Sequence, residues 1–331
     1  MAVEPPFFKK YKAIFQSSAD DEKEKFPMVE VFEEFELPLI DLSHLNLGPF
    51  ERQKFIEQIA EAASEWGFFQ IVNHGIPEEL LGRLKHEQMK VFQQPFDTKA
   101  NKNFLNLSAH TYRWGNPLAT SLSNLSWSEA LHISVKDISK MDEYYNLRST
   151  IEECAAKADL LAQKLAECLA QNLGIKPNYF QENCSSSSSF LRMNRYPPCP
   201  HSSMMPGFIP HTDTDFLTIV SQDQVGGLQL KRDGRWVSVK PNPQALVINI
   251  GDLFQALSNG IYKSITHRVV ANKEVERYSA AYFYCPTYET VIESCSKPGL
   301  YRNFSFKEYR EQIEKDVKAT GDKVGLSRFL L

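Results

Sequence analysis

The chain has 331 residues, of which 42% are hydrophobic and 24% charged, enough apolar material for one large core or two coupled ones. Lys and Arg number 37 against 41 Asp and Glu, a net charge of −4, so no basic face for nucleic acid is expected. No run approaches the roughly 18 apolar residues of a membrane span, and the six cysteines form no CxxC pair of a zinc ribbon or thioredoxin-like site.

Residues 1–35, which include SSADDEKEKF, read as a loosely held arm. The arm lacks the apolar run of a signal peptide, which points to a reducing cytoplasmic setting, with the nucleus also open to a chain of this size. LPLID (37–41) looks like a short strand. A helix is expected over 49–66, with Pro49 in its first turn, Gly67 as its stop, and Phe55, Ile56, Ile59, Ala60 and Ala63 on one face. FFQIV (68–72) reads as a buried strand closed by the turn Asn73-His74-Gly75, and a second helix follows Pro77 and ends before Pro95. Residues 96–145 hold short polar and aromatic segments with no sustained period. A long helix rich in Ala, Leu, Lys and Glu covers 147–173 and stops at Gly174. The span 36–184 is therefore a helix-rich region.

From residue 185 the pattern changes. FLRMNRY, FLTIVSQ, GLQLKR, RWVSVK, ALVINI, SITHRVV and SAAYFYC are short β-rich segments, and Asp233-Gly234 between two of them is a type I′ hairpin signal. Several antiparallel strands over 185–290 predict a sandwich or barrel, the class that contains jelly rolls. A polar helix near 305–319 and GDKVGLSRFLL form a tail, 291–331, that packs on this core. The expected fold class is α+β with a mainly β core, helices first, and the barrel mouth is the natural place for a small-molecule site.

PHTDTDFLTIV opens one of these strands. Residues i and i+2 of a strand share a face, so His211 and Asp213 project together and Thr212 points away. Asp215 has the same parity as Asp213, and spacing leaves both open. His267 in SITHRVV supplies a third group, and two His with one carboxylate make the facial triad of non-haem Fe(II) oxygenases. Arg277 and Ser279 again share a face, where a guanidinium fork and a hydroxyl suit the distal carboxylate of a dicarboxylic co-substrate. A surface ion pair of Arg277 with Glu274 or Glu276 is the competing reading. His74 reads as a turn or core residue, Asp252 as a partner of turn backbone, and Cys199 as a thiol in a proline turn without a base. His44, His86, His110, His132 and His201 read as surface or structural.

MNRYPPCP, HTDTDFLTI, GGLQL, NIGDLFQALSNG, HRVV and ERYSAAYF follow in the order seen in the plant 2-oxoglutarate/Fe(II) dioxygenases, and EWGFFQIVNHGI (65–76) resembles that family's N-terminal signature. The resemblance covers nearly everything beyond residue 36. It implies a double-stranded β-helix, or jelly roll, wrapped by helices. It also implies Fe(II) on His211, Asp213 and His267, with Asp213 chosen over Asp215. Arg277 and Ser279 would hold 2-oxoglutarate, with Tyr196 and Asn194 close to it. It implies O2 as the oxidant and ascorbate as the reductant, with succinate and CO2 released.

TYRWGNPLATS (111–121), WSEALHI (127–133) and DVKATGDKVGLSRFLL (316–331) are similar to gibberellin 2-oxidases, most of all to the subclass acting on C20 precursors. The implied reaction is 2β-hydroxylation of a gibberellin, which inactivates the hormone pathway. Tyr112, Arg113 and Trp114 are the implied substrate anchors. The competing reading puts Trp114 in the core and Arg113 in a surface pair. Gibberellin 3- or 20-oxidation and flavonoid oxidation are alternatives on the same scaffold, and a non-catalytic hormone-binding barrel is the alternative of a different class.

Overall fold

The structure, a computed structural model, describes residues 2–20, 34–201 and 205–331. The helices are α1 (Phe7–Lys10), α2 (Lys12–Asp20), α3 (Pro49–Glu65), α4 (Glu78–Phe92), α5 (Phe96–Lys99), α6 (Tyr145–Asn172), α7 (Tyr179–Asn183), α8 (Asp252–Leu257) and α9 (Phe306–Thr320). The strands before residue 200 are β1 (Glu34–Phe35), β2 (Leu39–Asp41), β3 (Phe68–Val72), β4 (Tyr112–Trp114), β5 (Glu129–Ser134) and β6 (Phe190–Tyr196). After it come β7 (Phe208–His211), β8 (Leu217–Gln222), β9 (Leu228–Arg232), β10 (Arg235–Val239), β11 (Leu246–Ile250), β12 (His267–Val269), β13 (Arg277–Tyr284), β14 (Val291–Ile292) and β15 (Phe304–Ser305).

The helices expected from apolar periodicity and from Pro and Gly punctuation form close to the predicted bounds. In α3, Pro49 occupies the first turn, and Phe55, Ile56, Ile59, Ala60 and Ala63 are buried. α6 buries Ile151, Ala155, Ala158, Ala162, Leu165 and Leu169 in one core with α3, α4 and the outer face of a large sheet. No helix among the described residues is long and apolar enough to cross a membrane.

That sheet has eight strands in the order β2-β3-β11-β8-β13-β6-β5-β4, and a second has five in the order β1-β10-β9-β12-β7. The two face each other: Phe68 and Val247 of the large sheet pack with Leu228, Leu230 and Val239 of the small one. The hairpin between β9 and β10 turns on Asp233 and Gly234, both with positive φ, as a type I′ turn requires.

The arm differs from its expectation. Phe7 and Tyr11 are 2% and 5% exposed, and Phe7 stacks on Trp127 at 4.3 Å and meets Trp114 edge-on at 5.5 Å. The start of the arm is therefore anchored by aromatic burial, and its segment 21–33, which holds most of the charged run, lies outside the described residues.

Candidate metal and co-substrate site

β7 and β12 are antiparallel neighbours with His211 opposite His267, so their rings lie side by side, 4.2 Å between centres. Each Nδ1 donates to the backbone carbonyl two residues earlier, His211 to Ile209 at 2.9 Å and His267 to Ile265 at 3.1 Å. A carbonyl only accepts, so both Nδ1 atoms carry the hydrogen and both Nε2 lone pairs are free.

Asp213 comes from the turn after β7. Its Oδ2 accepts from Thr218 Oγ1 at 2.6 Å and Asn249 Nδ2 at 2.5 Å. Its Oδ1 lies 3.5 Å from His211 Nε2 and 3.9 Å from His267 Nε2. One ligand atom from each of the three residues falls within 4.8 Å of the others. Two neutral imidazole nitrogens and one carboxylate oxygen converge while their companion atoms are tied to protein, a donor set that fits a divalent iron with open positions opposite. Burial and the neighbouring His267 push His211 down to about 3. Burial alone would raise Asp213, yet the two imidazoles, Thr218 and Lys323 bring it net below the usual carboxylate range.

Asp215 lies behind this cluster, fully buried. Burial and the charge of Asp213 raise it well above the usual range. It accepts from Thr218 Oγ1 at 3.0 Å and is not among the converging ligand atoms.

Asp252 corrects its sequence reading. Its carboxylate accepts from Thr212 Oγ1 at 3.0 Å, Tyr309 Oη at 2.5 Å and Lys323 Nζ at 2.5 Å, rather than from turn backbone. Its own amide donates to the Asp213 carbonyl at 3.0 Å. The tail thus clasps the turn that carries Asp213.

The Arg277 side is built by strand register. Arg277 pairs with Tyr196 and Ser279 with Asn194 across β13 and β6, and Ser279 faces Gln222 across β8. Arg277 is 2% exposed, which removes the surface ion-pair reading; Glu276 instead accepts from Arg195 at 2.9 Å. The Arg277 guanidinium reaches Ser279 Oγ at 3.3 Å and Gln222 Oε1 at 2.8 Å and lies 4.9 Å over the Tyr196 ring. Asn194 Nδ2 donates to Ser279 Oγ at 3.4 Å. Among the described residues Arg277 Nε and Gln222 Nε2 are buried donors with no acceptor, and a ligand carboxylate would satisfy them. Gln222 was missed in the sequence because an uncharged side chain at the end of a strand carries no motif signal.

The three expected substrate anchors separate. Tyr112 lies opposite Leu131 and Trp114 opposite Glu129, so the two share one face of β4 and Arg113 takes the other. Tyr112 Oη donates to the fully buried Glu129 at 2.5 Å, and Trp114 packs on Phe7, Tyr11 and Phe96. Strand alternation therefore removes both from the inner face. Arg113, opposite Ala130, takes the other parity. His132, read as surface or structural, shares that parity and lies tilted against Phe190, 4.3 Å between ring centres. His74 keeps a turn role, accepting from the Ile76 amide at 3.2 Å, and burial pushes the Cys199 thiol up to about 11.

Comparison with known proteins places this geometry. Residues 187–286 match the model of the 2OG-Fe(II) oxygenase superfamily, and residues 37–151 match the N-terminal model of the non-haem dioxygenases in morphine synthesis. Gibberellin 2-beta-dioxygenase 8 of Arabidopsis thaliana is 52% identical, over 99% of both chains. The chain belongs to the 2OG-Fe(II) oxygenase superfamily. Gibberellin 2-beta-dioxygenase 6 of Oryza sativa subsp. japonica is 44% identical over 99% of this oxygenase and 96% of its own length. The crystal structure of JOX2 in complex with 2OG, Fe and JA is similar at a TM-score of 0.74 and 32% identity, covering 90% of this oxygenase and 92% of that chain. The facing sheets are thus the family's jelly-roll core, and the enzyme is an Fe(II)- and 2-oxoglutarate-dependent dioxygenase.

Proposed function

We propose that this oxygenase 2β-hydroxylates gibberellins, with C20 gibberellins as its preferred substrates. The observation that carries the reading is full-length identity of 44–52% to gibberellin 2-beta-dioxygenases, joined to a converging His211, Asp213 and His267. C20 preference rests on the segments at 111–121, 127–133 and 316–331 described above.

In this reading His211, Asp213 and His267 hold Fe(II). Arg277 and Ser279, supported by Gln222, Tyr196 and Asn194, receive the distal carboxylate of 2-oxoglutarate. The bound metal supplies the O2 chemistry that inserts one oxygen atom into a C–H bond and the other into succinate as CO2 leaves. The protein's part is to orient the co-substrate through the Arg277 fork, hold the target C–H bond at the metal, and keep water out between the two sheets.

The test is turnover of purified protein with Fe(II), ascorbate, 2-oxoglutarate and a panel of C20 and C19 gibberellins, read by mass spectrometry beside succinate release. One oxygen added at C2 of C20 members is the expected product. Oxidation at another carbon moves the assignment to 3- or 20-oxidation. Binding of gibberellin without succinate, in iron-loaded protein, makes it a hormone-binding barrel.

A further inference from the structure

The arm at the start of the chain grips a part of the molecule on which the co-substrate side depends. Phe7 of α1 lies flat on Trp127, 4.3 Å between ring centres and 21° between planes, and Phe8 meets the same indole edge-on at 5.2 Å. Phe7 and Trp127 are each 2% exposed, so each ring closes the other off from water. Phe8 and Phe15 also pack against the His201 ring, at 5.9 and 5.7 Å. Glu4 accepts from Arg195, the residue before Tyr196, at 3.4 Å, and the Ala2 carbonyl accepts from the Phe96 amide at 2.8 Å.

Trp127 does more than fill space. Its indole Nε1 donates to the Pro198 carbonyl at 3.2 Å, and its backbone amide donates to the Pro206 carbonyl at 3.0 Å. Pro198 stands two residues after Tyr196, the last residue of β6, and Pro206 two residues before Phe208, the first of β7. One residue thus ties down both the exit from β6 and the entry to β7. The Tyr196 ring, itself 2% exposed, lies against these segments. A Cβ at Gly207 would stand 2.9 Å from Tyr196 Cδ1 and 3.0 Å from the Ala271 amide nitrogen, so the Gly207 backbone is pressed to the ring. The Arg277 guanidinium lies over that same ring at 4.9 Å. In close packing, a shift of Gly207 would free the ring on which the Arg277 fork rests. The metal cluster has separate supports: His211 pairs with His267 across β7 and β12, and Asp213 is held by Thr218 and Asn249.

We propose that Trp127, capped by Phe7 of the arm, is a positioning residue for the co-substrate: it keeps the Tyr196 ring under Arg277, and through it the arm sets the affinity for 2-oxoglutarate. The inference rests on the placing of the distal carboxylate at Arg277 proposed above.

The experiment is calorimetry on full-length variants loaded with Mn(II) and titrated with 2-oxoglutarate, beside Mn(II) titration and urea unfolding. Phe7→Ala and Trp127→Phe are each expected to lower 2-oxoglutarate affinity by about three- to tenfold, the scale of one aromatic pair. Trp127→Phe keeps a ring for Phe7 and loses the bond to the Pro198 carbonyl. Phe7→Tyr keeps the stack and is expected to bind 2-oxoglutarate as wild type does. Gly207→Ala, outside the arm, is expected to lower the affinity too, by displacing Tyr196. Mn(II) affinity is expected to hold at the wild-type value in all of them. Tyr11→Phe loosens the arm elsewhere, at its bond to the Asn116 carbonyl, and is expected to leave 2-oxoglutarate affinity unchanged. A lower urea midpoint in Phe7→Ala with wild-type 2-oxoglutarate affinity would mean that the arm only stabilises the fold, and overturns the proposal. Equal losses of Mn(II) and 2-oxoglutarate affinity overturn it as well, since the whole site has then loosened. Arg277→Lys is the reference. Wild-type 2-oxoglutarate affinity in that variant would sink the Arg277 site itself. Loss there, with none in Phe7→Ala or Trp127→Phe, would leave the site standing and sink only the part given to the arm. If Phe7→Ala does not fold, Trp127→Phe and Gly207→Ala decide the matter.

Discussion

Asn249 Nδ2 donates to Asp213 Oδ2 at 2.5 Å, and this bond, with the one from Thr218, leaves only Oδ1 turned to the two imidazoles. Asn249 is the penultimate residue of β11, opposite Thr218 of β8. A buried strand thereby orients a carboxylate that comes from a turn.

Asn249→Ala is expected to weaken metal binding by about 10- to 100-fold, the usual effect of losing a group that orients a ligand. Titration with Mn(II) as an O2-inert probe reads this directly. His211→Ala removes a proposed ligand itself and is expected to abolish both tight metal binding and coupled product formation. Unchanged Mn(II) affinity in Asn249→Ala would show that Thr218 alone orients Asp213.

Arg277→Lys keeps the charge and loses the planar fork. A rise of about tenfold or more in KM for 2-oxoglutarate is expected, since a point charge cannot form both bonds to a carboxylate. Gln222→Ala is expected to raise the same KM by less, because it removes one neutral partner of Arg277 and one unpartnered donor. Steady-state kinetics with 2-oxoglutarate as the varied substrate checks both.

These residues show what was legible. His211 and Asp213, like Arg277 and Ser279, could be paired from a period of two, because each pair lies within or beside one strand; His267, on another strand, and the choice of Asp213 over Asp215 came from the family resemblance. β3 and the helices around it were readable from apolar runs punctuated by Pro and Gly. β5 was not: it carries the fully buried Glu129 on one face and His132 on the other, so charge inside the sheet hid the strand. Glu129 accepts from Lys99 at 2.6 Å, Tyr112 at 2.5 Å and Arg195 at 2.8 Å. Only the fold brings together groups so far apart in sequence, and it drew Tyr112 away from the role its motif suggested.

Glu129→Gln tests that buried network. Lys99 and Arg195 would each keep a buried charge with a weakened partner, and breaking such a pair costs about 3–5 kcal/mol. Urea unfolding is expected to show a loss of this order.

His132 gives a pH dependence. Its folded-state value near 3 lies below the ordinary histidine value, so the folded protein holds it neutral, through burial and the charges of Arg113, Arg192 and Arg310. The unfolded chain binds the proton more readily, so this stabilising contribution is complete above about pH 6.5 and falls away as pH drops from there toward 3. His132→Gln is expected to lose less stability than wild type between pH 7.5 and 5.5, measured by urea midpoint.

Lys323 lies in the tail, more than 100 residues from the turn it holds. Its Nζ donates to the Thr212 carbonyl and hydroxyl, each at 2.8 Å, and to Asp252 at 2.5 Å. Lys323→Met leaves the Asp252 carboxylate, 4% exposed, with only Thr212 and Tyr309 as donors, and a loss of about 3 kcal/mol is expected. Thr212 stands between His211 and Asp213, so Mn(II) affinity is expected to fall as well if these two hold the metal as proposed. Asp252→Asn alone leaves the lysine charge without its partner and is expected to cost a similar amount. The double variant removes both charges and should cost clearly less than the sum of the two. Additive losses would mean that Lys323 and Asp252 act separately, and the tail would then have no coupled hold on the turn that carries Asp213.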